Sequence, residues 1–284
     1  MNARKDRQTA AFQCRDGGRL AYSISGQGEP VVFIHGFGVD AAMWDPQWSA
    51  FGQDYRAIRY DLRGYGHSTL PDGPYTHADD LLALLDALDA RPAQLVGLSM
   101  GAQVALRIAL QEPAAVRSLT LVDGALEGFR WSDAWSQRWR ATTAAARCGD
   151  VAEAKRVWLD HELFAPARKH PHVAAALAAM VGRYSGWHWW HGDPGTTPAR
   201  PAIELLATVS VPTLVVVGEL DLPDFQEIAR RFAADIPSAK LRVIAGAGHM
   251  SNLEASAEFN ELLLMHLRAA ADHAILDVGT VDLK

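Results

Sequence analysis

Residues Gly97-Leu98-Ser99-Met100-Gly101 stand between a short apolar run, Ala93-Gln94-Leu95-Val96, and a stretch from Ala102 to Leu110 that carries helix formers with apolar residues at helical spacing. A strand that reverses sharply into a helix forces its turn residue into a strained conformation, and the residues flanking that turn must be small. Gly97 and Gly101 meet this demand. The pattern therefore puts Ser99 on a tight strand-to-helix turn with its oxygen exposed. It also leaves the backbone N–H of Met100 free at a helix N-terminus, where an anion is stabilised.

The remaining chain alternates strand-like runs with helical segments, the pattern of a mostly parallel sheet flanked by helices. Ala11 to Arg15 and Arg19 to Ser25, separated by Asp16-Gly17-Gly18, read as an edge hairpin. Strands are then expected at Val31–Ile34, Tyr55–Tyr60, the run into Gly97, Leu119–Val122, Thr213–Val217 and Leu241–Ile244, which makes an eight-stranded α/β sheet. Helices are expected at Ala42–Phe51, Thr76–Ala90, after Ser99, at Ile228–Ala234 and at Ala255–Ala270.

The rhythm breaks after Val122. Residues 126–207 look helical and are rich in tryptophan, and so long a stretch inside a compact domain reads as an inserted helical lid rather than a loop. The expected organisation is a core of residues 1–125 and 208–271, the lid, and a tail of 272–284 with no assigned function. Trp131, Trp135 and Trp139 recur every four residues, which predicts one helix face. Trp187-His188-Trp189-Trp190-His191 precedes the loop residues Gly192-Asp193-Pro194-Gly195. Phe37, Trp131, Trp135, Trp187 and Trp190 are candidate pocket residues, set against the plainer reading that the tryptophans pack the lid onto the core.

Composition narrows the function classes. The 284 residues are 49% hydrophobic and 21% charged, typical of a globular domain, and no apolar stretch is long enough to span a bilayer. A net charge of −6 without a basic run argues against a nucleic-acid surface, and a small neutral or weakly charged substrate fits better. Met1 to Arg7 is charged with no apolar run behind it, so a cytoplasmic location is the expectation. Cys14 and Cys148 are expected to be free thiols. No sign of an oligomeric state is legible.

A serine hydroxyl is a weak nucleophile at neutral pH until a base takes its proton. His249 is the candidate, in the glycine-containing loop Ala245-Gly246-Ala247-Gly248-His249-Met250 after a strand; a helix-capping role is the plainer alternative. His35, His67, His161, His170, His172, His188 and His191 are weaker candidates by position. A buried carboxylate best orients such a histidine. Asp221, just after the strand ending at Val217, leads, with Asp224 and Asp123 as alternatives and Glu219 as a loop brace. An oxyanion needs two N–H donors. Met100 offers one, and Phe37 in His35-Gly36-Phe37-Gly38 offers the second; a tight glycine turn with a structural His35 is the plainer reading. In Asp61-Leu62-Arg63-Gly64-Tyr65-Gly66-His67-Ser68 the Asp and Arg are expected to pair and brace the loop.

Together, His35 to Gly38, Asp61 to Ser68, Gly97 to Gly101, Asp221 and His249 resemble the α/β-hydrolase superfamily from about Ala11 to Leu267. Met43-Trp44-Asp45-Pro46-Gln47, Tyr60 to Ser68 and Gly97 to Gly101 are similar to the small bacterial esterases and oxoadipate enol-lactonases. The resemblance implies hydrolysis of a small ester or lactone through an acyl-enzyme, with no cofactor or metal. It carries the catalytic roles onto Ser99, Asp221 and His249 and the oxyanion roles onto Phe37 and Met100. Ser99 speaks against the dehalogenase and epoxide hydrolase branches, which use an aspartate there. Carbon-carbon bond hydrolases of ring-cleavage products share the serine triad and stand second, because the oxyanion loop here lacks their longer serine- and glycine-rich form. A non-catalytic small-ligand receptor on this fold would show a broken triad, and every member is present here.

Overall fold

Strands that are apolar on both faces belong inside a sheet covered by helices on each side. Pro30–Ile34, Ala93–Leu98 and Thr213–Gly218 are of this kind, and in the computed structural model, which describes residues 9–191 and 199–278, all three lie inside one eight-stranded sheet. In chain order the strands are β1 (Ala10–Gln13), β2 (Arg19–Ser25), β3 (Pro30–Ile34), β4 (Arg56–Tyr60), β5 (Ala93–Leu98), β6 (Val116–Val122), β7 (Thr213–Gly218) and β8 (Ala239–Ile244). Their order across the sheet is β1-β2-β4-β3-β5-β6-β7-β8. β1 and β2 form an antiparallel hairpin, β2 is antiparallel to β4, and every pairing from β4 to β8 is parallel.

The connections bring α1 (Asp45–Phe51), α2 (His77–Ala87) and α3 (Met100–Gln111). Between β6 and β7 come α4 (Asp133–Arg147), α5 (Val151–Leu159), α6 (Pro171–Arg183) and α7 (Trp187–His191). The chain closes with α8 (Pro223–Asp235), the short α9 (Ser251–Glu254) and α10 (Ser256–Val278). The chain winds from β3 outward to β4 and then back past β3 to β5, so the winding direction reverses between β3 and β5. Loops diverge at such a point and leave a crevice at the carboxyl ends of the strands. His35 to Gly38 follow β3 and Ser99 follows β5, one on each side of it.

Several boundaries differ from the periodicity for identifiable reasons. Ala41–Trp44 is a 3-10 turn capped by the Asp40 side chain, and the α-helix starts at Asp45 with Pro46 in its first turn. β6 starts at Val116, because the polar Ser118 is buried and donates to Gln94 Oε1 at 3.0 Å. α8 starts at Pro223, ahead of the expected Ile228. Trp131 precedes α4, whose N-cap is Ser132. α10 continues to Val278, so the start of the expected tail is helical, and residues 279–284 lie outside the described residues. So do Met1 to Arg7 and the expected loop Gly192 to Gly195.

The expected Asp61–Arg63 pair does not form. The Asp61 carboxylate ties its own loop to the turn at Ala41, accepting from Ala41 N at 2.9 Å and His67 N at 2.8 Å. Arg63 instead points to the hairpin edge, where its buried guanidinium pairs with Asp16 and with Asp80 of α2 and lies 5.0 Å from the Tyr75 ring centre. Burial raises the Asp80 carboxyl, and Arg63 opposes that shift. Both cysteines are free, Cys14 buried and Cys148 exposed.

Removing one partner of a buried ion pair leaves the other charge uncompensated, which costs about 3–5 kcal/mol. Arg63→Met is expected to lower the urea-unfolding free energy by that amount. Asp16→Asn, at a half-exposed partner, is expected to cost about 1 kcal/mol or less. Equal effects of the two changes would contradict this account.

Candidate active site

Ser99 has φ 55° and ψ −114°, a strained combination for a residue with a side chain. Two close backbone approaches hold it. A Cβ on Gly97 would overlap Gly101 O and Ala102 N, and one on Gly101 would overlap Ile34 O at the end of β3. The Ser99 N–H donates to Val122 O at 2.9 Å, and the Ser99 carbonyl accepts from Ala125 N at 3.1 Å. The strained turn is thereby pinned to β6.

His249 and Asp221 are both buried, and His249 Nδ1 lies 2.9 Å from Asp221 Oδ2. The carboxylate is an acceptor, so the ring proton sits on Nδ1 and Nε2 is left as the acceptor. Leu222 N donates to Asp221 Oδ1 at 2.7 Å, fixing the carboxylate in turn. Leu220 N donates to Ala247 O at 2.8 Å and stitches the two loops together. Ser99, His249, Phe37 and Met100 line one cavity. Among the described residues no hydrogen bond joins Ser99 Oγ to His249, and such contacts commonly tighten only when substrate is bound. The N–H groups of Phe37 and Met100 have no acceptor among the described residues.

Burial dominates the electrostatics. It pushes His249 down to about 4, against the pull of Asp123 and Glu254, and it pushes Asp221 up. The Phe225 ring lies against the imidazole, with 4.3 Å between ring centres. His249 is therefore neutral at rest, the form that accepts a proton.

The other acidic residues lie elsewhere. Asp224 accepts from Ser132 N at 3.0 Å and from Ser132 Oγ at 2.6 Å, fastening the start of α4 to α8. Glu219 accepts from Gly246 N at 2.8 Å and braces the loop. Asp123 is buried behind the pair, where its carboxylate accepts from Gly218 N and Ser251 Oγ. His35 takes Leu62 N–H on Nε2 at 2.9 Å and holds the loop after β3 to the loop after β4. His161 and His188 are buried, each pushed to about 4, chiefly by burial.

The cavity measures about 450 Å³ and is walled by Phe37, Trp131, Trp135, Trp139, Trp158 and Phe225. Trp131 and Trp135 thus reach it and stack at 4.8 Å. Trp187 and Trp190 do not. Trp187 stacks on His191 at 4.6 Å, and Trp190 is 45% exposed. Trp139 shares the four-residue spacing that flagged its neighbours. Trp158, Phe164 and Phe225 stand alone in the sequence and carry no such signal. No group of three or more metal-ligating side chains occurs among the described residues, and no helix of theirs is long and apolar enough to cross a membrane.

A model of the α/β-hydrolase fold family matches residues 29–256. The chain belongs to the α/β-hydrolase family. It is 27% identical over 252 residues to 3-oxoadipate enol-lactonase 1 of Acinetobacter baylyi, covering 87% of this chain and 92% of that protein. A solved N-acyl homoserine lactone degrading enzyme is 31% identical with a TM-score of 0.74, covering 88% of this chain and 97% of that one. A thermophilic esterase from Thermogutta terrifontis is 28% identical with a TM-score of 0.79, covering 93% and 99%. Within the family the chain is thus like the esterase and enol-lactonase branch.

Burial also lowers His77 to about 3 and His266 to about 4. An unfolded histidine titrates near 6.5, so the unfolded chain takes up these protons first. The contribution of each buried neutral histidine is complete above about pH 6.5 and is lost as pH falls toward its folded value. His188, held by Tyr184 Oη at 3.0 Å and Tyr75 Oη at 3.2 Å, is the cleanest test because no carboxyl contributes to its shift. His188→Gln is expected to lower stability at pH 8. It is also expected to flatten the fall in unfolding free energy between pH 6.5 and 4, by up to about 1.4 kcal/mol per pH unit. An unchanged slope would mean that His188 does not titrate on unfolding.

Proposed function

We propose that this protein is a serine hydrolase that cleaves small, largely apolar carboxylic esters or lactones through an acyl-enzyme. The observation that carries the reading is the buried His249 Nδ1 to Asp221 Oδ2 contact of 2.9 Å, with the imidazole facing the same cavity as the strained Ser99. His249, held in one tautomer by Asp221, takes the Ser99 proton as Oγ bonds to the carbonyl carbon. The carbonyl π pair moves onto oxygen, and the N–H groups of Phe37 and Met100 meet that oxyanion. Collapse breaks the bond to the leaving oxygen, which takes the proton from His249. Water then repeats the sequence on the acyl-enzyme and restores Ser99.

The relatives support the bond type, being a lactonase, a lactone-degrading enzyme and an esterase. In this reading the helices of residues 126–207 serve as a cap whose tryptophans close the cavity over the substrate. An apolar space of about 450 Å³ suits a small molecule.

A burst experiment with 4-nitrophenyl esters of increasing acyl length tests this. The wild type is expected to release one equivalent of nitrophenol ahead of steady turnover. Ser99→Ala is expected to lose the burst and to lower kcat by roughly 10⁴-fold or more while staying folded. Full turnover by a folded Ser99→Ala protein would remove the proposal. Turnover of ring-cleavage diketones but of no ester would redirect it to carbon-carbon hydrolysis.

A further inference from the structure

One charge interrupts the ring and hydrocarbon walls of the cavity. Arg140 lines it together with Ser136, one turn earlier on α4, and no aspartate or glutamate lines it. Side chains four apart stack on one helix face, so this hydroxyl and guanidinium stand beside each other, next to the row formed by Trp135 and Trp139. Neither side chain has a hydrogen-bond or ion-pair partner among the described residues. Arg138, Arg156 and Arg183 of the same inserted helices are paired, with Glu162, Glu153 and Asp40, and Arg147, without a partner among the described residues like Arg140, does not line the cavity. A guanidinium fork beside a hydroxyl matches the donor demand of a carboxylate. The chain as a whole carries −6, so an unpaired cation at this cavity reverses the field locally.

Resting on the serine-hydrolase reading, we propose that the substrate is an aromatic ester or lactone bearing a carboxylate. Its ring lies against Trp135 and Trp139, and Arg140 and Ser136 hold its carboxylate. Matched esters that differ in a carboxylate test this: phenyl acetate against 4-acetoxybenzoate, and 4-nitrophenyl pentanoate against mono(4-nitrophenyl) adipate. The first pair puts the charge on the leaving group and the second on the acyl group. With each rate normalised to alkaline hydrolysis, the wild-type kcat/KM ratio of charged to neutral ester is expected to be about tenfold in at least one pair, the low end for a charge-assisted contact. The ratio is expected to fall to near one in Arg140→Gln, to recover partly in Arg140→Lys and to shrink with added salt. A ratio near one in wild type, or one that Arg140→Gln leaves unchanged, overturns the proposal alone. Turnover of none of the four esters overturns the serine-hydrolase reading and the proposal with it.

A different observation concerns Asp123 at the end of β6. It is fully buried, has φ +43°, and reaches two loops at once. Its Oδ1 accepts from Gly218 N at 2.8 Å, three residues before Asp221. Its Oδ2 accepts from Ser251 Oγ at 2.6 Å, two residues after His249. We infer that Asp123 is a positioning residue that ties the Asp221 loop and the His249 loop to one point.

Asp123→Ala cuts both ties, Ser251→Ala cuts only the tie to the His249 loop, and Asp123→Asn keeps the shape and an acceptor for Gly218 N. Misplacing a reacting group by about 1 Å costs on the order of a hundredfold. The kcat of Asp123→Ala is expected to fall by about that factor and that of Ser251→Ala by about tenfold, with KM little changed. Asp123→Asn is expected to restore most of kcat and leave the acidic limb of the pH profile in place. Wild-type kcat in Ser251→Ala overturns the inference even where Asp123→Ala fails to fold. So does an Asp123→Asn loss equal to that of Asp123→Ala, since the negative charge rather than the ties would then matter.

Discussion

Everything at this site depends on how closely three backbone segments meet at the carboxyl ends of β3 and β5. Gly101 touches the Ile34 carbonyl, and Gly97 touches the start of α3, so a methyl at either position meets backbone rather than a side chain that can swing away. The approach sets α3 directly against the loop after β3. Met100 and Phe37 thereby line the same cavity as Ser99. The strain at Ser99 persists because the end of β6 and the loop after it grip the turn from the side, through Val122 O and Ala125 N.

Burial does the electrostatic work that proximity alone would not. A histidine beside a carboxylate in water would be drawn toward its protonated form, whereas here the dry setting against Phe225 keeps the imidazole neutral. A buried carboxyl without partners is costly, and each of the two here has them. Asp221 has His249 and Leu222 N, and Asp123 has Gly218 N and Ser251. Asp221 and His249 thus sit on a fixed frame, which in the proposed mechanism needs little reorganisation when a proton moves.

The parts of this design written in local pattern were legible in the chain. The glycines flanking Ser99 permit a tight turn, and eight strand-like runs, six of them alternating with helical segments, leave few arrangements besides this sheet. What depends on distant partners was not. Ser118 looks like an interruption until Gln94 is opposite it, and the partners of Arg63, Asp16 and Asp80, lie far from it in sequence. The tryptophans divide in the same way. Periodicity brings Trp135 and Trp139 onto one face of α4, with Trp131 just ahead of the helix, but it does not say that the clustered Trp187 and Trp190 stay out of the cavity. Trp158, isolated in sequence, reaches the cavity only because α5 packs there.

Phe37 links the two halves of the structure. Its backbone belongs to the loop after β3, while its ring is met edge-on by Trp139, Trp158 and Tyr184 from the inserted helices and by Tyr65 from the loop after β4. Tyr65 in turn stacks on Tyr184 at 5.0 Å and on His188 at 4.6 Å, and its hydroxyl reaches Met100 Sδ at 3.7 Å. Both N–H groups assigned to the oxyanion therefore belong to residues whose side chains contact this aromatic assembly. The inserted helices do more than cover the cavity, because their packing bears on the position of those donors. Gly38, at φ +74° under the Trp158 indole, leaves no room for a side chain between that loop and the helices. In the proposed mechanism the packing of α4, α5 and α7 therefore bears, through these ring contacts, on the loop that carries Phe37.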